Sequence, residues 1–271
     1  MLSKEVSPEP AENTPDQAQK TAGKRRRRRG WLIALSVVLV AIVVAVGAFV
    51  AWAKDTYPSD AGVVAEVQSD SRVVYEELDG MIRLAPAHTE STQGLVFLVG
   101  AKVEPEAYVG RLAQAAAAGV TVLIIEPPLN LALLELDSFD SLTASEPQIQ
   151  HWAVGGHSMG GVKACSYAED SKVTKLLLFA SYCSTDKLAE RQDLSVLSLQ
   201  GSEDLVINQE NLHNAAASMP ENTDQELLQG VTHGQFGSYG DQPGDGQALI
   251  SDAKAQQLIS SKVLEFLVPG K

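Results

Sequence analysis

Between Trp31 and Trp52 the chain runs 22 residues without a charged side chain, built of Leu, Ile, Val and Ala with a single Gly47. A bilayer core takes about 20 apolar residues as a helix, so this run predicts a transmembrane span. A Trp at each end suits the aromatic belt at the membrane surface. Lys24 and Arg25 to Arg29 stand just before the run, and only Lys54 follows closely. Basic residues stay on the cytoplasmic side, so the tail is expected inside the cell and the remainder outside. Two other readings compete. Ala51-Trp52-Ala53 looks like a small-residue cleavage site, but a cleaved signal has an apolar core of only about 7–15 residues, so the length favours an uncleaved anchor. A buried soluble helix would not abut so dense a charge cluster. The basic cluster 24–29 could also suit a nucleic acid; beside a span, topology and anionic lipid explain it at less cost.

Residues 1–30 are rich in Pro, Glu, Gln, Thr and Ala, and a stretch so poor in large apolar residues predicts a disordered cytoplasmic tail. Residues 53–61 read as a linker and 62–271 as one domain, a size that suits a single core. The net charge of −13 conceals an asymmetry: eight Lys/Arg and four Asp/Glu fall in residues 1–30, leaving 13 and 30 in the rest, a net of −17. A domain that acidic repels nucleic acid and disfavours polyanionic substrates. Cys165 and Cys183 fall in the part expected outside the cytoplasm, where a disulfide is permitted. Two buried thiols are equally compatible with the sequence.

Within the domain, apolar runs alternate with helical patterns. Val73–Tyr75 and Met81–Leu84 read as a hairpin turning at Asp79-Gly80. Runs at 95–99, 120–125, 152–155, 176–180 and 194–199 read as buried strands; 105–118, 159–168, 208–218 and 248–267 read as helices. That alternation predicts an α/β domain with a mostly parallel sheet. Ligands of such sheets bind beyond the carboxyl ends of the strands, so the residues just after each strand carry the interest.

One of those positions is Gly156-His157-Ser158-Met159-Gly160, a G-x-S-x-G sequence between a predicted strand and a predicted helix. The turn forces strained dihedrals on Ser158, and side chains at 156 and 160 would clash. A serine hydroxyl needs a base to take its proton. Only His213 and His233 follow Ser158; His213 sits inside a predicted helix and reads as a surface residue, whereas His233 lies in a loop after the last apolar run. The acid is expected after the 194–199 strand, where Glu203 and Asp204 stand side by side; the turn opened by Gly201 favours Asp204. The oxyanion would be held by main-chain N–H groups of Met159 and, in the loop after the 95–99 strand, Ala101.

With these motifs assembled, the chain resembles the α/β-hydrolases, and more narrowly a small single-domain bacterial group often called the fold-5 type. The resemblance spans about residues 95–267. It rests on Val99 to Val103, Pro127 to Ala132, Gly155 to Gly161, Gly201 to Asp204, His233 to Gly237 and the Tyr239 to Gly246 stretch. It implies an α/β-hydrolase fold and cofactor-free cleavage of esters, lactones, thioesters or amides by a Ser-acid-His mechanism. One departure stands out: Ala101 occupies a place where relatives have a second glycine. Only Ser181 to Asp193 separates two strands where many relatives insert a cap, so an open, shallow pocket is expected, lined near Leu129, Leu131, Tyr182 and Phe236 and suited to small or surface-presented acyl groups. No metal-ligand spacing or phosphate loop is present in the sequence. The expected function is therefore a membrane-anchored serine esterase with Ser158, Asp204 and His233 as its triad. Its rivals are an acyltransferase acting on cell-envelope acceptors with the same triad, and a non-catalytic binding protein of the same fold.

Overall fold

The computed structural model describes residues 15–270 other than Asn222. Two units follow one another along the chain, the first ending at Trp52 and the second beginning at Ala53.

Helix α1 covers Pro15–Lys54. Its stretch Gly30–Lys54 has a mean hydropathy of 3.0 and is long and apolar enough to cross a membrane. Trp31, Leu35, Val40 and Val44 are all exposed along it. The helix begins at Pro15, so residues 15–30, expected as part of a disordered tail, are helical; residues 1–14 of that tail lie outside the described residues. Proline is suited to a first helical turn. The Gln, Ala, Lys and Arg that follow are good helix formers, and extending an existing helix avoids the cost of nucleation.

The second unit is an eight-stranded sheet: β1 (Val73–Leu78), β2 (Met81–Pro86), β3 (Gln93–Leu98), β4 (Val120–Ile125), β5 (His151–His157), β6 (Val173–Phe179), β7 (Ser195–Gly201) and β8 (Asp224–Leu228). Their order across the sheet is β1-β2-β4-β3-β5-β6-β7-β8. The β1–β2 hairpin is antiparallel and β2 pairs antiparallel with β4; all other pairs are parallel. Consecutive residues of β3 and β4 are buried on opposite faces, as strands covered on both sides require. Leu95 and Phe97 face a core shared with α2 (Ala61–Ser69), α3 (Val109–Ala117) and α7 (Asp252–Leu267). Val96 and Leu98 face a second core closed by α4 (Phe139–Leu142) and α5 (Met159–Tyr167), with Met219 beyond α6 (Gln209–Ala215).

Helix α2 went unforeseen, since Ala61–Ser69 is short and carries one buried residue, Val67; Asp60 caps it through Gly62 and Val63 N–H. The C-terminal helix starts at Asp252 rather than near 248, where Ser251 caps it. Residues 180–194 hold no helix or strand, so this segment forms no cap domain. Cys165 on α5 and Cys183 in that segment are joined by a disulfide, which resolves the alternative the sequence left open.

Strand β3 lies between β4 and β5, so the chain reverses direction across the sheet there. At such a reversal the carboxyl edge is where ligands of open sheets bind. Residues 100–103 follow β3 there and Ser158 follows β5.

Candidate active site

Strand β5 is buried from Trp152 onward and ends at His157; α5 begins at Met159, leaving one residue, Ser158, to turn the chain. Ser158 takes φ 51° and ψ −120°, a conformation that costs an L-residue about 1–3 kcal/mol. Two contacts hold it there. Its N–H donates to Phe179 O at 3.0 Å, and its carbonyl accepts the Ser181 hydroxyl at 2.7 Å. A Cβ on Gly156 would lie 2.4 Å from Gly160 C, and one on Gly160 would lie 2.2 Å from Leu98 O. The strand and helix can approach this closely only with glycine at both places, as the G-x-S-x-G spacing predicts.

Asp204 and His233 come together at the ends of β7 and β8. The Asp204 N–H reaches back to Gly201 O at 3.4 Å, closing the turn. The His233 ring donates from Nδ1 to Asp204 Oδ2 at 2.7 Å, and both side chains are almost fully buried. Asp204 Oδ1 accepts from Val206 and Ile207 N–H at 2.9 and 3.0 Å, so the carboxylate is locked from both sides. With its proton on Nδ1, the imidazole keeps a lone pair on Nε2. Glu203 turns the other way and takes the Ser202 hydroxyl. His213 is exposed on α6, as expected.

Within the described residues no hydrogen bond joins Ser158 Oγ to His233. What brings the two regions together is His157, whose ring lies 4.5 Å from that of His233. Burial pushes the His157 pKa well below its ordinary value, with the neighbouring His233 adding to the effect. It is therefore a neutral imidazole. Tyr108 Oη accepts the Gly100 N–H at 2.9 Å and shares a 2.9 Å hydrogen bond with His157 Nδ1. Nε2 of His157 is buried with no hydrogen-bond partner among the described residues.

Met159 and Ala101 are half-buried, and neither N–H makes a hydrogen bond in the described structure. Two uncommitted N–H donors thus follow β3 and β5 at the carboxyl edge of the sheet, one of them at the N-terminus of α5, where the helix dipole favours negative charge.

Several residues at the site escaped the sequence reading. Asp245 accepts from the His233 and Gly234 N–H groups at 3.2 and 2.7 Å and caps the turn that carries His233. Arg111, with no exposed surface, donates to Gln235 O, Gly237 O, Ser238 Oγ, Gln256 Oε1 and Asp252 Oδ1. One buried guanidinium therefore fastens the loop after His233 to α3 and α7. Burial holds its pKa below the usual arginine value, opposed by Asp252. His157 and Arg111 had one legible signal: each is a polar residue in a run that must be buried, so each had to find partners there.

The expected pocket lining needs correction. Leu129 and Tyr182 are half-exposed, but Leu131 is 6% exposed and Phe236 is wholly buried. Phe236 packs on Phe179 and His157, under the site rather than at its mouth. Its position two residues before Ser238, which the Arg111 clamp draws inward, carries it into the core. No group of three His, Cys, Asp or Glu side chains that could hold a metal occurs among the described residues.

A mostly parallel sheet with a serine at a strained strand-to-helix turn, and an Asp–His pair from the ends of the last two strands, defines the class of α/β-hydrolase-fold proteins. Residues 94–257 match the model of the Alpha/beta hydrolase family, and the chain belongs to that family. Among solved structures, it is similar to a predicted CIB-like hydrolase from Thermoplasma acidophilum, at 11% identity and a TM-score of 0.52, over 71% of this chain and 98% of that one. It is also similar to the carboxylesterase CesB from Bacillus subtilis, at 13% identity and a TM-score of 0.50, over 83% and 99%. At such identities the likeness is one of fold. No curated protein matches the chain.

Proposed function

We propose that this protein is a membrane-anchored serine hydrolase that cleaves carboxylic ester-type bonds through an acyl-enzyme. The observation that carries the reading is the buried 2.7 Å pair of His233 Nδ1 and Asp204 Oδ2, beside a serine held in the strained turn. The pair fixes the tautomer in which Nε2 can accept a proton, the state a serine nucleophile requires.

In this reading Ser158 Oγ attacks the acyl carbon as its proton passes to His233 Nε2. The carbonyl oxygen becomes an oxyanion held by the Met159 and Ala101 N–H groups. The intermediate collapses, and the leaving alcohol takes the proton from His233. Water, deprotonated by His233, then attacks the acyl carbon; the bond from that carbon to Ser158 Oγ breaks, Oγ takes the proton back from His233, and the acid is released. The Ser158–His233 hydrogen bond forms as substrate enters, since such contacts are often long in empty sites. The segment 180–194, without a cap domain, favours small or surface-presented acyl groups.

The apolar helix supports the anchor, and the Cys165–Cys183 disulfide supports a domain facing an oxidising compartment. Membrane lipid is then the partner of residues 31–52 and of the basic cluster 24–29. Retention in the membrane fraction after alkaline extraction is the expected result; a soluble chain beginning near Lys54 would make the helix a cleaved signal instead.

The activity is tested with a fluorophosphonate probe and short p-nitrophenyl esters on the parent and Ser158→Ala. Labelling and turnover in the parent, with turnover lower by about 10⁴-fold or more in the variant, is the expected outcome. A folded parent that neither labels nor turns over would favour the binding-protein reading.

A further inference from the structure

The stretch 53–61, read from sequence as a linker, is bonded into the catalytic rim. Tyr57 N–H donates to Lys102 O at 2.7 Å, and Glu104 N–H donates back to Tyr57 O at 3.2 Å, a short parallel bridge with Val103 between. The Glu104 carboxylate takes the Thr56 hydroxyl and the Ser59 N–H, each at 3.0 Å. Asp60 N–H donates to Ser238 O at 2.7 Å, in the loop that follows His233. The Tyr57 ring lies 5.6 Å from that of Tyr239 and 5.6 Å from Lys102 Nζ.

These bonds fall on the loop that supplies Ala101. Lys102 takes φ 64°, an unfavourable conformation for a side-chain-bearing residue, so the loop needs external restraint to hold it. Every neighbouring N–H is already spent: Gly100 on Tyr108 Oη, Lys102 on Asn130 O, Val103 on Gly100 O and Glu104 on Tyr57 O. Ala101 keeps the one uncommitted N–H of residues 100–104.

We propose that Thr56–Asp60 is a positioning strap, which fixes the 100–104 loop so that Ala101 alone remains free to receive the oxyanion. The inference rests on the serine-hydrolase reading above. It makes the segment after the apolar helix a working part of the site rather than a passive tether. The strap lies beyond Ala53, so it stays with the domain whether the helix is kept or removed.

The test uses the full chain with Glu104→Ala, which removes the acceptor for Thr56 and Ser59, and the milder Thr56→Val. Each is compared with the parent for kcat and KM on p-nitrophenyl acetate, inhibition by a phenylboronic acid, and Tm. Complete loss of one oxyanion donor costs about 10²–10³ in turnover, which bounds the effect from above. Expected for Glu104→Ala is a kcat lower by about tenfold, KM within twofold, and boronate inhibition weakened in step with kcat/KM, since the boronate adduct presents an oxyanion and the ester ground state does not. Thr56→Val should show the same pattern more weakly. A lowered Tm with unchanged kcat and boronate affinity in a folded variant would overturn the strap and leave the hydrolase reading intact. If Glu104→Ala does not fold, Thr56→Val decides between these results. A folded parent with neither turnover nor labelling would overturn both.

Discussion

The turn at Ser158 and the loop at His233 are both tightly fixed, but by different physics. The serine turn is held mainly by close backbone packing that only glycines at 156 and 160 allow, with hydrogen bonds to Phe179 and Ser181, about 21 and 23 residues on. The histidine loop is held by buried polar side chains. Asp204 is 29 residues before His233, and Arg111 reaches the loop from more than 120 residues away. A turn fixed by sterics leaves a mark at fixed spacing in the sequence, whereas a loop fixed by a buried cation leaves no spacing that names its partners. The first region should fail by strain and the second by loss of orientation or of polar satisfaction.

The largest break in that comparison is Asp204→Asn. The carboxamide retains the shape but can present its N–H₂ to the ring and favour the wrong tautomer, and turnover should fall by about 10⁴-fold with a nearly unchanged fold. Kinetics on p-nitrophenyl acetate paired with circular dichroism check both halves; a loss under tenfold would mean that the pair does not set the tautomer. Arg111→Met comes next. It leaves the carbonyls of Gln235 and Gly237 and the Ser238 hydroxyl without their donor, at a cost of about 3 kcal/mol in denaturant unfolding. Activity should fall with stability, because the same guanidinium restrains the loop after His233.

Breaking the other region is expected to cost stability without a matching loss of chemistry. The disulfide ties α5 to the segment after β6, away from the glycine contacts. Replacing Cys165 and Cys183 together by Ser should lower unfolding free energy by about 3 kcal/mol, as for a loop of this length. The kcat of the folded fraction should stay within about threefold. A kcat loss far greater than that would show that the disulfide, and not sterics alone, sets the serine turn.

The smallest effect tests the contact between the two regions. His157 faces His233, Tyr108 and Tyr239 and is held neutral by burial. Its folded pKa lies below the unfolded value of about 6.5. As pH falls below that value the unfolded chain binds a proton that the folded chain refuses, so stability declines by up to about 1.4 kcal/mol per pH unit; above it the group contributes no slope. His157→Gln should flatten the stability profile as pH falls below about 6.5. An unchanged slope in the variant would assign the acid sensitivity to other groups.

Much of the sheet could be read in advance because strands covered on both faces must be continuously apolar, as β3, β4 and β6 largely are. Helix α2 could not, since nine residues with one buried side chain carry too little pattern. The preference for Asp204 over Glu203 leaned on a turn; in the fold the Asp204 carboxylate bonds to the imidazole and Glu203 takes the Ser202 hydroxyl. Phe236 was placed at the pocket mouth because a loop aromatic beside a histidine gives no hint of its depth; packing on Phe179 put it in the core.

By itself the sequence determined what depends on spacing along one stretch of chain. It marked the apolar helix, the alternation that makes a parallel sheet, and the glycines that allow Ser158 its turn, because each leaves a local pattern of residue type and spacing. Only the tertiary structure decided the Arg111 clamp, the Asp245 cap, the Tyr108–His157 pair and the bonds from Thr56–Asp60 to the 100–104 loop. Each joins groups far apart in the chain through hydrogen bonds, and a hydrogen bond depends on where the fold places two atoms, which residue order alone does not specify.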